Sequence, residues 1–294
     1  MAESPTHIPG QLPPTLVAGH GGLPCIALST ADGAEAEIYL HGAHIAVWIP
    51  AGDTENRLFL SERAIFGRGS AIRGGIPVVF PQFSELGPLA KHGFARTSNW
   101  SIRELERLAT GGMRAVLELT DTDETRAVWP HAFAAHLTLV IEGRTLRVEL
   151  AVTNTGEAPF SFTAALHPYF RVADAAAAEV VGLRGTSYHD AVAGNATAVE
   201  EGAALAIRGE VDRVFFDAPA DVQLREPARS LHITKAGFPD AVVWNPGAAG
   251  TAGREDFTPG DERYMLCVEA GAIGRAVVLA PGVRWAGSQT ITAT

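Results

Sequence analysis

A histidine and a glutamate stand in apolar stretches of the chain. His167 lies in residues 165–170 and Glu269 in residues 265–271. An imidazole titrates near neutral pH and can serve as a catalytic acid or base, although it also packs well as a hydrogen-bonded core residue. An unpaired carboxylate is costly among apolar neighbours, so a salt-bridged structural role is the alternative for Glu269. The two residues taken alone leave both interpretations open.

A basic segment rich in glycine and proline spans residues 72–96. It contains Arg73 directly before two glycines, and Lys91, His92 and Arg96 near its end. A guanidinium binds carboxylate or phosphate through paired hydrogen bonds, and glycine lets the backbone approach another group closely. Arginines in solvated surface ion pairs are the alternative. The segment is therefore a candidate anion site.

The sequence shows no metal-binding motif. His41 and His44 are three residues apart, which points them to opposite faces of a strand. Neither an HExxH nor a CxxC motif is present. We therefore expect no metal. The two cysteines, Cys25 and Cys267, are too few for a disulfide framework and indicate a reducing cytoplasm.

Alternating apolar residues indicate the strands that must position these groups. Such alternation occurs at residues 113–119, 137–141, 146–152 and 231–233. Only residues 61–66, which open with Ser61 as an N-cap, suggest a helical turn, and strands do not alternate with long helices. The pattern predicts a strand-rich single domain over residues 15–294, preceded by a flexible tail at residues 1–14.

Charge and hydropathy exclude several classes of partner. The chain has 23 basic and 33 acidic residues, a formal net charge of −10 and a pI of about 5.5. This charge has the wrong sign for non-specific binding to nucleic acid or an anionic membrane, so an anionic ligand needs a local cluster of donors. No apolar run reaches the roughly 18 residues of a membrane helix, and no secretory signal is visible. We expect a cytoplasmic protein that binds neither nucleic acid nor membranes.

Six short motifs follow one another in a recognisable order. They are IRGGIP at 72–77, HGFAR at 92–96, LHPYF at 166–170, DRV at 212–214, VWNP at 243–246 and CVE at 267–269. In this order they closely resemble the glucose-6-phosphate 1-epimerase branch of the aldose 1-epimerase family. The resemblance runs from about Gly42 to Gln289, and six ordered motifs are far more specific than any one of them.

The resemblance implies an all-β fold, a single large antiparallel β-sandwich of the galactose-mutarotase type with a sugar site on one face of a sheet. It implies interconversion of the α and β anomers of a hexose 6-phosphate, glucose 6-phosphate in particular, by a monomer without a cofactor. By position, His167 matches the general acid and Glu269 the general base.

The resemblance also implies substrate-binding roles. Arg73 and Arg96 match residues associated with the phosphate, and Lys91 is a third candidate. His92 and Asp212 match residues that hold sugar hydroxyls, although Asp212 alone is equally compatible with a turn. Gln82 lies where the branch often has another site-lining residue.

Three positions, Ala90, Pro168 and Ala270, depart from the usual pattern. They leave the acid and base in place, and they leave the loop shape and the sugar preference open.

The implied reaction needs one acid and one base. A proton leaves the C1 hydroxyl and another reaches the ring oxygen as the hemiacetal opens. With ordinary pKa values near 4.3 and 6.5, Glu269 is expected to be ionised at pH 7 and His167 to be partly protonated. Two other hypotheses are a non-catalytic carbohydrate-binding or sensing domain on the same fold and a metal-dependent cupin-type isomerase. The cupin would need an HxH cluster, which the sequence lacks.

Overall fold

Antiparallel strands are the predominant secondary structure in the computed structural model, which describes residues 15–294. The predicted flexible tail, residues 1–14, lies outside the described residues. In chain order the strands are β1 Thr15–Ala18, β2 Pro24–Ser29, β3 Glu35–Tyr39, β4 His44–Ile49, β5 Val78–Val79, β6 Ser101–Arg107, β7 Met113–Thr120, β8 Phe133–Glu142, β9 Thr145–Asn154, β10 Phe160–Leu166, β11 Tyr169–Arg171, β12 Glu179–Val181, β13 Ser187–Asp190, β14 Ala196–Val199, β15 Ala204–Ala206, β16 Val211–Phe215, β17 Asp221–Arg225, β18 Ser230–Ala236, β19 Asp240–Asn245, β20 Met265–Leu279 and β21 Arg284–Ala293.

These strands form three sheets. A four-stranded sheet has the order β1-β2-β3-β4. An eight-stranded sheet has the order β14-β13-β16-β19-β20-β10-β5, with β11 also paired to β20. A nine-stranded sheet has the order β15-β12-β17-β18-β21-β9-β8-β7-β6. Pairing is antiparallel in each sheet, as between β8 and β9 or between β19 and β20.

The hydrophobic core lies between the two large sheets. Every second residue of β8 from Phe133 to Ile141 is buried, as the alternation of side chains along a strand requires. Leu137 of the nine-stranded sheet and Leu166 and Val268 of the eight-stranded sheet belong to one cluster of buried side chains. Full burial of such a side chain contributes about 1.5–3 kcal/mol. The all-β antiparallel sandwich is therefore confirmed.

Strand β20 is buried on both of its faces over its first half. Leu266 and Val268 belong to the core cluster, whereas Cys267 packs in a separate cluster on the opposite face. Glu269 is two residues beyond Cys267 and so shares its face. The carboxyl group of Glu269 therefore lies on the outer face of the eight-stranded sheet, opposite the core.

Helical structure is confined to short segments of the described chain. The helices are α1 Asp123–Val128 and α2 Gly247–Ala252, and single 3₁₀ turns lie at His20–Gly22, Ala95–Thr97, Ala175–Ala177 and Asp261–Tyr264. Helix α1 begins at a capping box formed by Thr122 and Thr125. At residues 61–66 the chain makes a hydrogen-bonded turn, from Ala64 N to Ser61 O at 3.0 Å, without a helix. None of the helices in residues 15–294 is long and apolar enough to cross a membrane.

Candidate active site

A cavity of about 740 Å³ opens on the outer face of the eight-stranded sheet. Six of the seven predicted site residues line it: Arg73, His92, Arg96, His167, Asp212 and Glu269. They come from widely separated parts of the chain, and the strand pairing brings them together. Gln82 is the exception, because it is not among the residues that line this cavity.

The pairing of β10 with β20 brings His167 to Glu269. Leu166, the last residue of β10, pairs with Ala270, so that the next residue, His167, comes level with Glu269. The imidazole Nε2 lies 3.3 Å from Oε1 of the carboxyl group. The remaining polar atoms of this pair, His167 Nδ1 and Glu269 Oε2, are buried without a hydrogen-bond partner among the described residues. An imidazole and a carboxyl group thus lie side by side at the same cavity, and each has one atom without a hydrogen bond among the described residues.

Burial shifts the pKa values of this pair in opposite directions. Desolvation, and then the nearby Asp212 carboxylate, raise the pKa of Glu269 well above its ordinary value. Desolvation, and then electrostatic interactions with His92, Arg96 and Arg73, lower the pKa of His167 well below its ordinary value. Both directions run against the expectation of an ionised Glu269 and a partly protonated His167, and both favour a proton on the carboxyl group over one on the imidazole.

His92 presents a defined tautomer to the cavity. Its Nδ1 accepts a hydrogen bond from Ser84 N at 3.2 Å, so in the neutral ring Nε2 carries the proton. Burial, followed by the charges of Arg96, Lys91 and Arg73, lowers the pKa of His92 to about 3. The ring therefore stays neutral at physiological pH. Its edge meets His167 at a centroid distance of 5.5 Å.

Gln82 holds the loop that leads to His92. Its Nε2 donates to Ser84 O and Leu89 O at 3.0 and 3.1 Å, and its Oε1 accepts from Leu89 N at 2.9 Å. The side chain is buried, and these three bonds commit its amide group to the backbone of residues 84–89. Gln82 lies beneath one wall of the cavity.

Arg73 is fixed on three sides. Its Nε and Nη2 donate to Asp256 Oδ2 at 3.0 and 2.8 Å, and Nη1 donates to the hydroxyl of Tyr169 at 2.8 Å. The guanidinium carbon also lies 4.7 Å from the ring centroid of Phe257. Because a guanidinium has five N–H donors, two remain for a ligand. The Asp256 carboxylate offsets much of the positive charge.

Arg96 and Lys91 carry positive charge that no carboxylate in the described chain neutralises through an ion pair. Arg96 Nη2 donates to Lys91 O at 2.7 Å, and its Nε is buried without a partner among residues 15–294. Burial lowers the pKa of Arg96, although a guanidinium with an ordinary pKa above 12 keeps its proton. Both side chains line the cavity. This part of the wall is the strongest candidate for an anion.

Asp212 and Trp244 face each other across β16 and β19. Burial raises the pKa of Asp212, while Lys91 acts in the opposite direction. The ring of Trp244 lines the cavity, and the guanidinium carbon of Arg254 lies 5.9 Å from its centroid. A carboxyl group beside an indole ring offers a hydrogen-bond acceptor and an apolar face, as a sugar ring requires.

The glycines after Arg73 allow the chain to pass close to its own backbone. A Cβ at Gly74 would lie 2.4 Å from Phe59 O, and one at Gly75 would lie 2.2 Å from Ile45 O. Both residues have positive φ angles, 112° and 58°. The glycines therefore do allow a close approach of the backbone, as predicted, and the group approached is another segment of the protein's own backbone.

Sequence reasoning missed several residues of the cavity wall. Asp256 is 183 positions from its partner Arg73, and no motif links the two. Tyr169 and Trp244 lie inside two of the six motifs, which gave them no role, and Arg254 lies in none of the motifs. The only available signal was the charged run at residues 254–256.

His41 and His44 are the two histidines whose spacing raised the possibility of a metal site. His41 Nε2 lies 2.7 Å from Ser70 O, and burial lowers the pKa of His44 to about 3. Among the described residues, no group of three or more histidine, cysteine, aspartate or glutamate side chains could hold a metal ion.

Known proteins share this arrangement of strands and much of the sequence. A family model described as aldose 1-epimerase matches residues 24–292. A candidate glucose-6-phosphate 1-epimerase from Cenchrus ciliaris is 36% identical over 287 residues, which cover 95% of this chain and 87% of the relative. Another, from Escherichia coli (strain K12), is 35% identical over 245 residues, 80% of this chain and 79% of the relative.

A solved structure shows the same fold. The crystal structure of a candidate mutarotase, YeaD from Salmonella typhimurium, superposes with a TM-score of 0.86 at 26% identity. The match covers 96% of this chain and 97% of the other.

Proposed function

Because the chain belongs to the aldose 1-epimerase family, we propose that it interconverts the α and β anomers of a hexose 6-phosphate, with glucose 6-phosphate as the preferred substrate. The observation that carries the proposal is the contact of 3.3 Å between His167 Nε2 and Glu269 Oε1 in a cavity that Arg73, Lys91 and Arg96 also line. The names of the relatives from Cenchrus ciliaris and Escherichia coli support the choice of substrate.

The acid and base open the sugar ring in one step. Glu269 takes the proton of the C1 hydroxyl as His167 gives a proton to the ring oxygen, and the C1–O5 bond breaks to leave an aldehyde. Rotation about the C1–C2 bond presents the other face of the aldehyde. The ring oxygen then attacks C1, His167 takes back its proton and Glu269 returns one to O1. Atoms and protons balance, and the enzyme ends in its starting state.

The buried pair suits this cycle because one shared proton can lie on either His167 or Glu269, which gives two arrangements. Imidazolium with carboxylate is the reactive form before ring opening, and imidazole with carboxylic acid is the form after it. Burial favours the second, uncharged arrangement. Such a pair titrates as a unit, so its apparent pKa values belong to both groups together. A phosphate bound by Arg96 and Arg73 offsets two of the charges that lower the pKa of His167, and this favours the imidazolium of the first arrangement.

The cations of the cavity select the phosphorylated sugar. A sugar phosphate carries close to two negative charges at pH 7. Arg96 and Lys91 offer unneutralised charge, and Arg73 offers its two remaining N–H groups. The net charge of −10 repels such a substrate at long range, but screening over about 8 Å leaves the local donors to decide.

The remaining groups hold the sugar ring. His92 donates through Nε2–H to a sugar hydroxyl, and Asp212 accepts from another. Trp244 provides the apolar surface on which the ring lies. Gln82 serves the site indirectly, because its amide group holds the loop that positions Lys91 and His92.

The test is exchange spectroscopy of the two anomers. Saturation transfer between α- and β-glucose 6-phosphate should become faster when the protein is added, and free glucose should respond much less. A double variant, His167→Asn with Glu269→Gln, is the control for contaminating activity. A wild-type protein that binds glucose 6-phosphate without accelerating exchange would identify a carbohydrate-binding domain and refute the enzyme.

The protein's setting and assembly form part of the same proposal. We propose that residues 15–294 act as one domain, since side chains from both large sheets share one core. We place this domain in the cytoplasm as a monomer. The thiols of Cys25 and Cys267, both buried and free, suit a reducing compartment.

A further inference from the structure

Tyr169 connects the anion-binding arginine to the catalytic histidine. Its ring stacks on the ring of His167, with the centroids 4.9 Å apart and the planes inclined by only 9°. Its hydroxyl accepts the hydrogen bond of 2.8 Å from Arg73 Nη1. One side chain therefore touches both the acid of the proposed reaction and a cation of the proposed phosphate site.

The surroundings of Tyr169 leave its ring little freedom. Its backbone N–H donates to Gly75 O and its carbonyl accepts from Phe59 N, both at 2.8 Å. The ring packs in a buried cluster with Phe59, Phe257 and Cys267. Burial raises the pKa of the Tyr169 hydroxyl to about 12, so the phenol stays neutral. The hydrogen bond to Arg73 is what fixes the ring's outer end.

Asp256 in turn fixes Arg73. Both of the guanidinium's bonds to this residue end on the same oxygen, Oδ2, and Phe257 supports the guanidinium face. The result is a chain of contacts that runs from Asp256 through Arg73 and Tyr169 to His167. Within residues 15–294, Arg96 makes no such connection, because its hydrogen bond there goes to the Lys91 carbonyl.

We propose that Tyr169 is a positioning residue for His167, and that Asp256 and Arg73 hold Tyr169 in place. The proposal rests on the proposed function, because it assigns His167 as the acid. It divides the two arginines: Arg96 acts on the phosphate and, through its charge, on the pKa of His167, whereas Arg73 also acts on the orientation of the acid. Loss of the chain of contacts should therefore slow turnover even of a sugar without phosphate.

Two conservative variants test the chain. Tyr169→Phe keeps the stacked ring and removes the hydroxyl, and Asp256→Asn keeps the shape and removes the charge that orients Arg73. We expect kcat to fall about 10- to 100-fold in each variant, the loss typical of a misplaced catalytic group. The fall should be similar for glucose 6-phosphate and for free glucose. Tyr169→Leu, which also removes the stack, should lose more than Tyr169→Phe.

Nitrogen-15 spectra of the histidine side chains provide a readout that does not depend on turnover. The His167 imidazole resonances should shift in Asp256→Asn, although Asp256 contacts Arg73 and not the histidine. Inorganic phosphate should bind both variants at least as tightly as wild type, because one variant frees an Arg73 donor and the other removes a negative charge.

Tyr188→Phe is the matched control. Tyr188 also lies under an arginine, with the guanidinium carbon of Arg213 4.5 Å from its ring centroid, and that arginine also binds carboxylates. It does not line the cavity, so kcat and the His167 resonances should stay at wild-type values.

Unchanged turnover of free glucose together with unmoved His167 resonances in both variants would overturn the proposal. Arg73 would then be a phosphate ligand only. If the wild-type protein shows no anomerase activity, the proposed function fails while the spectra still report whether Asp256 and Tyr169 orient His167.

Discussion

His167 lies one residue beyond the pair Leu166 and Ala270, and this position brings its Nε2 to 3.3 Å from Oε1 of Glu269. Glu269 is in β20, and His167 directly follows β10, the hydrogen-bonded neighbour of β20, so the strand pairing sets the distance between the two groups. In the proposed reaction neither side chain has to order a flexible loop first. Preorganisation of this kind is what proximity contributes to catalysis.

Replacement of Glu269 by glutamine should nearly abolish anomerisation and leave the fold intact. The amide keeps the shape of the side chain and loses the base, so we expect a rate loss of about 100- to 10,000-fold. His167→Asn should lose activity in the same range. Saturation transfer measures the rates, and circular dichroism checks the fold. Glu118→Gln, on the nine-stranded sheet, is the control. More than half of wild-type activity in Glu269→Gln would refute the assignment of the base.

Arg96→Ala should selectively lower kcat/KM for the phosphorylated substrate. A charge-assisted contact contributes about 1.5–3 kcal/mol, so kcat/KM for glucose 6-phosphate should fall about 10- to 100-fold. The value of kcat/KM for free glucose should fall much less, because free glucose has no phosphate. Arg96→Lys should recover part of the loss, since an ammonium restores charge without the planar fork. Arg103→Ala, an exposed arginine of β6, is the control. Equal losses on both sugars would show that Arg96 shapes the cavity generally.

The stability of the protein should fall as the pH drops below 6.5, in part because of His44. Burial, then the charge of His41, lowers the pKa of His44 to about 3 in the folded state. Above pH 6.5 the imidazole is neutral in both states, whereas between pH 6.5 and 3 only the unfolded chain gains the proton. Each pH unit in that window costs about 1.4 kcal/mol, or about 2 kcal/mol at pH 5.

The variant His44→Leu should remove that share of the pH dependence. Urea unfolding at pH 7 and pH 5 should give a difference in stability about 2 kcal/mol smaller than in wild type. Ile45→Val, at the next position, is the control, since it should cost about 0.5–1.5 kcal/mol at both pH values. A pH dependence identical to wild type in His44→Leu would show that this histidine is protonated in the folded protein.

Gly75→Ala should be far more destabilising than Gly33→Ala. Both glycines have positive φ angles, but a Cβ at Gly75 meets Ile45 O at 2.2 Å whereas one at Gly33 meets nothing within 4 Å. Backbone strain alone costs about 1–2 kcal/mol, so Gly33→Ala measures that cost and the excess in Gly75→Ala measures the clash. Thermal unfolding of both variants makes the comparison. Equal losses would mean that the chain relaxes around residue 75.

The sequence allowed some parts of this molecule to be predicted because they depend on local pattern. Alternation correctly located β7, β8, β9 and β18, whose buried faces follow from side-chain spacing. The ordered motifs pointed to residues that share one cavity, from Arg73 to Glu269.

Other features depend on distant packing and could not be predicted. The Asp256 carboxylate reaches Arg73 only after the chain has folded, and neither residue's local sequence carries that information. The pKa directions of His167 and Glu269 follow from burial, which is a property of the tertiary structure. The resemblance predicted Gln82 as a site-lining residue, but the bonds of its amide to Ser84 and Leu89 direct it toward the loop and away from the cavity.

The proposed acid and base and the residues proposed to contact the substrate occupy different kinds of structure. Glu269 is in the middle of β20, and His167 directly follows β10, whereas Lys91, His92 and Asp256 are carried by connecting segments. Amide hydrogens around residue 269 should therefore exchange with deuterium only when the whole sheet opens, and those of residues 84–92 should exchange through local opening. Over evolution, or in directed selection, the loops can change and alter which sugar is accepted while proton transfer stays on the sheet.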